Sequence, residues 1–191
     1  MLALLSLRNL RDALAGKAGA FARGRRGSVA IEFAIITPVF MFFLLGALAT
    51  FDYYRAKRRA VLAADTVADL VARTIAMNDD EMDLVVAAGR AAMDRYATAA
   101  TVHFGVASIS EDEDGNVFVN WSEATSSSLK RTVGSKVTNV TVPEIPSGEV
   151  AILAELSFEY KSPVANYLPD GVQYDQFSVR RPRYTAVIGF E

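Results

Sequence analysis

The chain has 191 residues, 51% of them hydrophobic, no cysteine and a formal net charge of −2. Without cysteine, disulfides and thiol chemistry are excluded, so the folded part must be held by packing or by partners. The small net charge hides a split: in residues 1–27, Arg8, Arg11, Lys17, Arg23, Arg25 and Arg26 are set against Asp12 alone, so the head is basic and the remainder acidic. These cations lie beside an apolar run, which is the pattern of membrane orientation and not of nucleic-acid binding.

Residues 1–27 read as a basic leader and residues 28–51 as a transmembrane helix. From Val29 to Phe51 there is a single ionisable group, Glu32, and Phe33 to Phe51 is nineteen residues without a charge. That is enough to cross a hydrocarbon core of about 30 Å as a helix. A secretory signal peptide has an apolar region of roughly 7–15 residues and then a small-residue cleavage site. Here the apolar run is longer and ends in Asp52-Tyr53-Tyr54-Arg55, so taken alone it is an uncleaved signal anchor. The balance of basic residues around the span favours a cytoplasmic N-terminus, although Arg55, Lys57, Arg58 and Arg59 follow it. Within the run, Pro38 removes a backbone hydrogen bond and is expected to kink the helix, with the Thr37 hydroxyl occupying a freed carbonyl. Gly46 and Ala49 offer a close helix contact.

Beyond the span the helix is expected to continue, with Val61, Ala64, Val67, Ala68, Val71 and Ile75 on one stripe and Asp69 and Arg73 forming an i,i+4 pair. One helix from about Ser28 to Ala76 would be roughly 70 Å long, its outer stripe buried against the protein's own domain. Asn78-Asp79-Asp80-Glu81 caps a second helix whose apolar face is Met82, Val85, Val86, Gly89, Met93 and Tyr96. Residues 52–98 are thus an amphipathic helical stalk and a second helix. From 99 to 191 the period falls to two. Val102–Val106 and Val117–Trp121 flank an acidic turn as a hairpin. A Ser-, Thr-, Gly- and Pro-rich loop runs from Thr125 to about Ser147. Glu149–Lys161 is a strand with Val150, Ile152, Ala154, Leu156, Phe158 and Tyr160 on one face and Glu155, Ser157, Glu159 and Lys161 on the other. After the turn Leu168-Pro169-Asp170-Gly171, a last strand is expected from Phe177 to Ile188, with Pro182 marking an edge or bulge. The fold class is α+β, a long helix and a second helix on a roughly four-stranded antiparallel sheet.

No catalytic set stands out. Asp112, Asp114 and Asn116, with Glu123, have the spacing of a calcium loop, but Val117 occupies the position of its turn glycine, which reduces calcium to a side hypothesis. His103 has no second histidine or cysteine to share a metal. Ser135-Lys136 lacks an acid-base partner. Arg180, Arg181 and Arg183 suit either an anionic partner or the protection of a sheet edge. The reading is therefore of a non-enzyme with no metal site, no cofactor, no small-molecule substrate and no nucleic acid.

Gly27-Ser28-Val29-Ala30-Ile31-Glu32-Phe33 resembles the processing site of type IV-class prepilins, in which a prepilin peptidase cuts after the glycine and the glutamate becomes the fifth mature residue. The long basic leader, the Glu-aromatic pair and the proline inside the apolar run are similar to TadE/TadF/TadG-like proteins of the tight-adherence (Tad) pilus system, which are minor pilins or pseudopilins. The likeness covers Arg23 to Asp69 and touches Val179-Arg180-Arg181-Pro182-Arg183-Tyr184. Phe33 departs from the tyrosine usual in major pilins of that system, and with the large domain this implies a minor, accessory subunit. The resemblance implies processing at Gly27 and Ser28, and assembly through Glu32 and Phe33. It also implies an inner-membrane location with residues 99–191 periplasmic, possible entry into a surface pilus, and prepilin peptidase, other Tad pilins and the assembly platform as partners.

The physical chemistry of these residues is consistent with those roles. A glycine leaves an extended backbone open to close approach by an enzyme. Glu32 in a helix bundle is costly unless paired, and the freed Ser28 amine of a neighbour has the opposite charge at matching depth. Two other readings stand beside this one: an uncleaved membrane-anchored assembly protein whose outer domain binds a partner, and a membrane-tethered binding or enzymatic module.

Overall fold

The computed structural model describes residues 25–99, 102–161 and 172–190. Its longest element is helix α1, Arg25–Val71, which continues through Pro38. The helix starts ahead of the expected Ser28, since a glycine inside a helix costs only about 1 kcal/mol. It also stops short of Ala76. Arg73 N–H donates to Leu70 O at 3.1 Å and Thr74 N–H to Val71 O at 3.0 Å, tightening the last turn. Ala76–Met77 is then drawn off as a short strand, β1.

Two compact units are present, Met1–Leu48 and Ala49–Glu191. In the first, the apolar side chains of α1 are open: Phe33 is 71% and Phe42 74% exposed. The helix is long and apolar enough to cross a membrane, with a mean hydropathy of 2.2 in its best window.

The second unit is α+β. After β1 come α2 (Asp79–Met93), α3 (Arg95–Ala99) and strands β2 (Val102–Glu111), β3 (Val117–Ala124), β4 (Ala151–Tyr160), β5 (Val172–Arg180) and β6 (Gly189–Phe190). Asn78 caps α2 by accepting the Glu81 N–H at 2.9 Å, and Asp79, Asp80 and Glu81 in the first turn suit the positive end of the helix dipole. The main sheet has the order β3-β2-β4-β5, every neighbouring pair antiparallel. The expected turn at Leu168–Gly171 lies outside the described residues.

One face of the sheet carries the main core. Phe104, Val106, Ile152, Ala154, Leu156 and Phe158 meet Ala56, Ala60, Ala63, Ala64, Val67, Ala68 and Val71 of α1 and Met82, Val85, Val86 and Met93 of α2. Of the expected α1 stripe, Ala64, Val67, Ala68 and Val71 are buried, but Val61 is 41% and Ile75 75% exposed. The missing positions are filled by alanines, whose small side chains permit close approach. Gly89 has the same role on α2. A Cβ there would sit 2.7 Å from both the Phe104 ring and Val67 Cγ2.

The other face was expected to be polar. It instead holds a second core of Ala107, Ile109, Val119, Ala151 and Leu153, covered by Val137 and Ile145 of the long loop. A bulge in β3 makes this possible. Ser108 pairs with Trp121 and Ile109 with Val119, leaving Asn120 as the extra residue. Val119 therefore points into the loop-covered core while Trp121, two residues on, packs against the helix-covered one. The loop is pinned by a bidentate pair, with Arg131 Nε and Nη2 donating to Glu155 at 2.6 and 2.7 Å.

The last strand differs from expectation. β5 ends at Arg180, and the chain beyond it, with Pro182, is irregular until β6 pairs in parallel with β1, Ala76 opposite Gly189 and Met77 opposite Phe190. Proline cannot extend a ladder, which is why the strand stops there. Trp121 Nε1 donates to Ile188 O at 2.6 Å and holds this terminal segment down.

Candidate functional site

The residues singled out at the start of α1 share one helix. Gly27 and Ser28 lie in its first turns, and Glu32 follows Ser28 by four residues. Glu32 and Phe33 are exposed. Thr37 Oγ1 donates to Phe33 O at 2.6 Å. The carbonyl that Pro38 leaves without an N–H partner belongs to Ala34, so the hydroxyl bonds one carbonyl earlier than a direct repair would require. A Cβ added at Gly46 would meet nothing within 4 Å, whereas Ala49 is 3% exposed and belongs to the second unit's packing.

A second constellation was not anticipated. Asp52, the first charged residue after the uncharged run, is only 8% exposed. Tyr96 Oη donates to its Oδ1 at 2.9 Å and Tyr160 Oη to its Oδ2 at 2.9 Å. Arg95 forms an ion pair with the same carboxylate. The Arg95 guanidinium lies over the Tyr96 ring, 4.9 Å from its centroid. Its pKa is raised by the bond to the Tyr96 hydroxyl first and by the Asp52 charge next. Tyr53 adds an aromatic layer, edge-on to Tyr160 at 5.7 Å and to Tyr174 at 5.3 Å. An acid, two phenols and a guanidinium resemble an acid-base site in composition, but both carboxylate oxygens are bonded to the protein itself. The arrangement is a latch that joins α1 to α3 and β4. Its partners are far apart in sequence, and the only advance signal was a carboxylate followed by two tyrosines at the end of a charge-free run.

A second latch lies further along α1. Ser178 Oγ donates to Asp65 at 2.6 Å and Arg180 Nη2 is 3.1 Å from the same oxygen. Asp69 takes Arg73 at 2.6 Å and also pairs with Arg183, whose backbone N–H donates to Ala72 O at 2.8 Å. Arg181 donates to Glu144 O at 2.6 Å. The three arginines therefore tie the C-terminal segment to the fold, a third role beside the two expected of them.

The remaining candidates are structural. Asp112 accepts the backbone N–H groups of Asp114 and Asn116 at 3.0 and 2.7 Å, and Glu123 is taken by Lys130 at 2.8 Å. The calcium spacing is thus spent on a turn and a salt bridge, and among the described residues no acidic or histidine cluster suits a metal. His103 sits half-buried in β2 opposite Ser157. Ser135 Oγ donates to Thr132 O at 2.6 Å within a turn.

One helix long and apolar enough to cross a membrane and a small antiparallel sheet domain define the class: an α+β protein with a membrane-capable N-terminal helix. Residues 27–69 match the family model described as TadE-like protein. Over that segment, which covers the membrane-capable part of α1, the chain is similar to TadE-like proteins. No curated protein matches the chain and no solved structure does.

Proposed function

We propose that the protein is a minor pilin or pseudopilin that assists assembly or initiation of a Tad pilus after its leader is removed by a prepilin peptidase. The observation that carries this reading is the placement of the TadE-like match, which opens on Gly27, with Glu32 in the same helix four residues beyond Ser28. Cleavage after Gly27 breaks the peptide bond to Ser28 and leaves a free amine there. In a bundle of such helices, Glu32 of one subunit pairs with that amine on the next and sets their register. Phe33 and the apolar side chains after it supply lateral packing, and the sheet domain supplies contacts on the periplasmic side. The role is structural, without catalysis.

Mass spectrometry of the chain recovered from membranes tests the cut. A mature N-terminus at Ser28, lost in Gly27→Leu, is the expected result; an intact leader in cells with an active peptidase overturns it. Glu32→Gln is expected to be cleaved normally but to leave the fibre fraction.

A second reading, an uncleaved membrane-anchored assembly protein, is favoured by one observation: α1 already includes Gly27 and Ser28, whereas a peptidase needs extended backbone. The first turn of a helix lacks part of its hydrogen bonding, so local unwinding there costs little.

A further inference from the structure

We propose that the face of α1 bearing Phe51, Tyr54, Arg55, Arg58 and Leu62 is a binding site for anionic phospholipid headgroups in the leaflet on the domain's side. The inference rests on the membrane span alone and holds whether or not the leader is cut. These residues recur at helical spacing, so they form one stripe, and an open groove runs along it. Phe51 is 63% and Tyr54 64% exposed. Arg55 and Arg58 are exposed and form no ion pair with any described carboxylate. The Arg55 guanidinium instead rests over the Phe51 ring, 5.7 Å from its centroid.

Two features favour lipid over a second copy of the chain. The stripe begins at Phe51, the last residue of the uncharged run, and aromatic rings with adjacent arginines are what the headgroup level selects. The arginine fork matches a phosphate bidentately. A copy presenting the same stretch of helix would have to offer a carboxylate, yet Asp52, Asp65 and Asp69 are already bonded within the domain. Basic residues at an anionic surface contribute roughly fivefold in affinity each.

The test uses the full chain in nanodiscs made from phosphatidylcholine and phosphatidylglycerol in equal amounts, with the lipids retained on detergent extraction counted by native mass spectrometry. Wild type is expected to retain phosphatidylglycerol preferentially. Arg55→Gln with Arg58→Gln is expected to reduce that preference by about twenty-fivefold, at about fivefold per arginine, while Arg90→Gln, an exposed control on α2, leaves it intact. Equal retention of the two lipids by wild type overturns the proposal, as does an equal loss in the Arg90 variant. Cross-linking between copies through position 58 that persists when the lipid is uncharged also overturns it and assigns the stripe to a second copy. Leader cleavage, read from the same spectra, separates failure here from failure of the pilin reading.

Discussion

The two stretches of α1 on either side of Leu48 have the same backbone and opposite side-chain chemistry. Before it, large residues such as Phe33, Phe40, Phe42 and Phe43 are at least 64% exposed. After it, Ala56, Ala60 and Ala63 are completely buried. Large apolar groups stand where the surrounding medium is to be lipid, because they fill it at no packing cost. Alanine stands where another element must come close. Helix propensity serves both stretches equally, so what distinguishes them is the size of the side chain and the partner it meets.

The strongest way to break this contrast is at Asp52, where the buried stretch begins. Asp52→Ala removes the carboxylate that accepts from the Tyr96 and Tyr160 hydroxyls and pairs with Arg95, and a loss of about 3 kcal/mol is expected. Denaturant unfolding of the domain should show it, with membrane association of the chain unchanged. Glycine gives a more direct comparison. Gly89→Ala drives a methyl into Phe104 and Val67 and is expected to cost about 2 kcal/mol, whereas Gly46→Ala, in the exposed stretch, leaves the domain's melting temperature where it was. At Asp94, which caps α2 with φ at 54°, glycine removes backbone strain. Asp94→Gly is expected to stabilise by about 1 kcal/mol, seen as a raised melting temperature.

The smallest expected effect is a pH dependence far from the helix. The Asp112 carboxylate is held below its ordinary pKa, first by the Asn116 backbone N–H and side-chain amide, with the Asp114 N–H and Lys136 adding to them. A depressed carboxylate stabilises the fold fully above its unfolded value, and the contribution disappears as pH falls through the folded value, below about pH 4. Asp112→Asn should therefore lower neutral-pH melting slightly and flatten that acid limb, so that variant and wild type converge below about pH 3. A drop that persists undiminished below about pH 3 would show that the turn depends on the shape of the side chain and not on its charge.

The elements with strong local periodicity were legible in the sequence. The face of α2 from Met82 to Met93 is buried as expected, because its spacing is carried by adjacent residues that answer to a single partner. The helix-facing side of β4 was legible for the same reason. Its opposite face was not. Ala151 and Leu153 are buried there by Val137 and Ile145, which sit in a loop with no period to betray them. The β3 bulge then reverses the facing of Trp121, which a strict alternation from Val117 would have placed with Val119. At the candidate processing site the glycine and carboxylate were visible as a local motif. The Asp52 latch was invisible because each of its partners is unremarkable alone and acquires meaning only when the chain folds back.

The pairing of β1 with β6 imposes an order of events. Among the described residues, Ala76–Met77 has no strand neighbour except Gly189–Phe190, and Arg183 and Ile188, which secure that segment, come almost as late in the sequence. In a protein made from its N-terminus, domains form as their residues become available. The span can enter the membrane and the main sheet can assemble while the end of the long helix is still unfastened. Closure of this pair therefore waits on residues 189–190 and follows assembly of the main sheet.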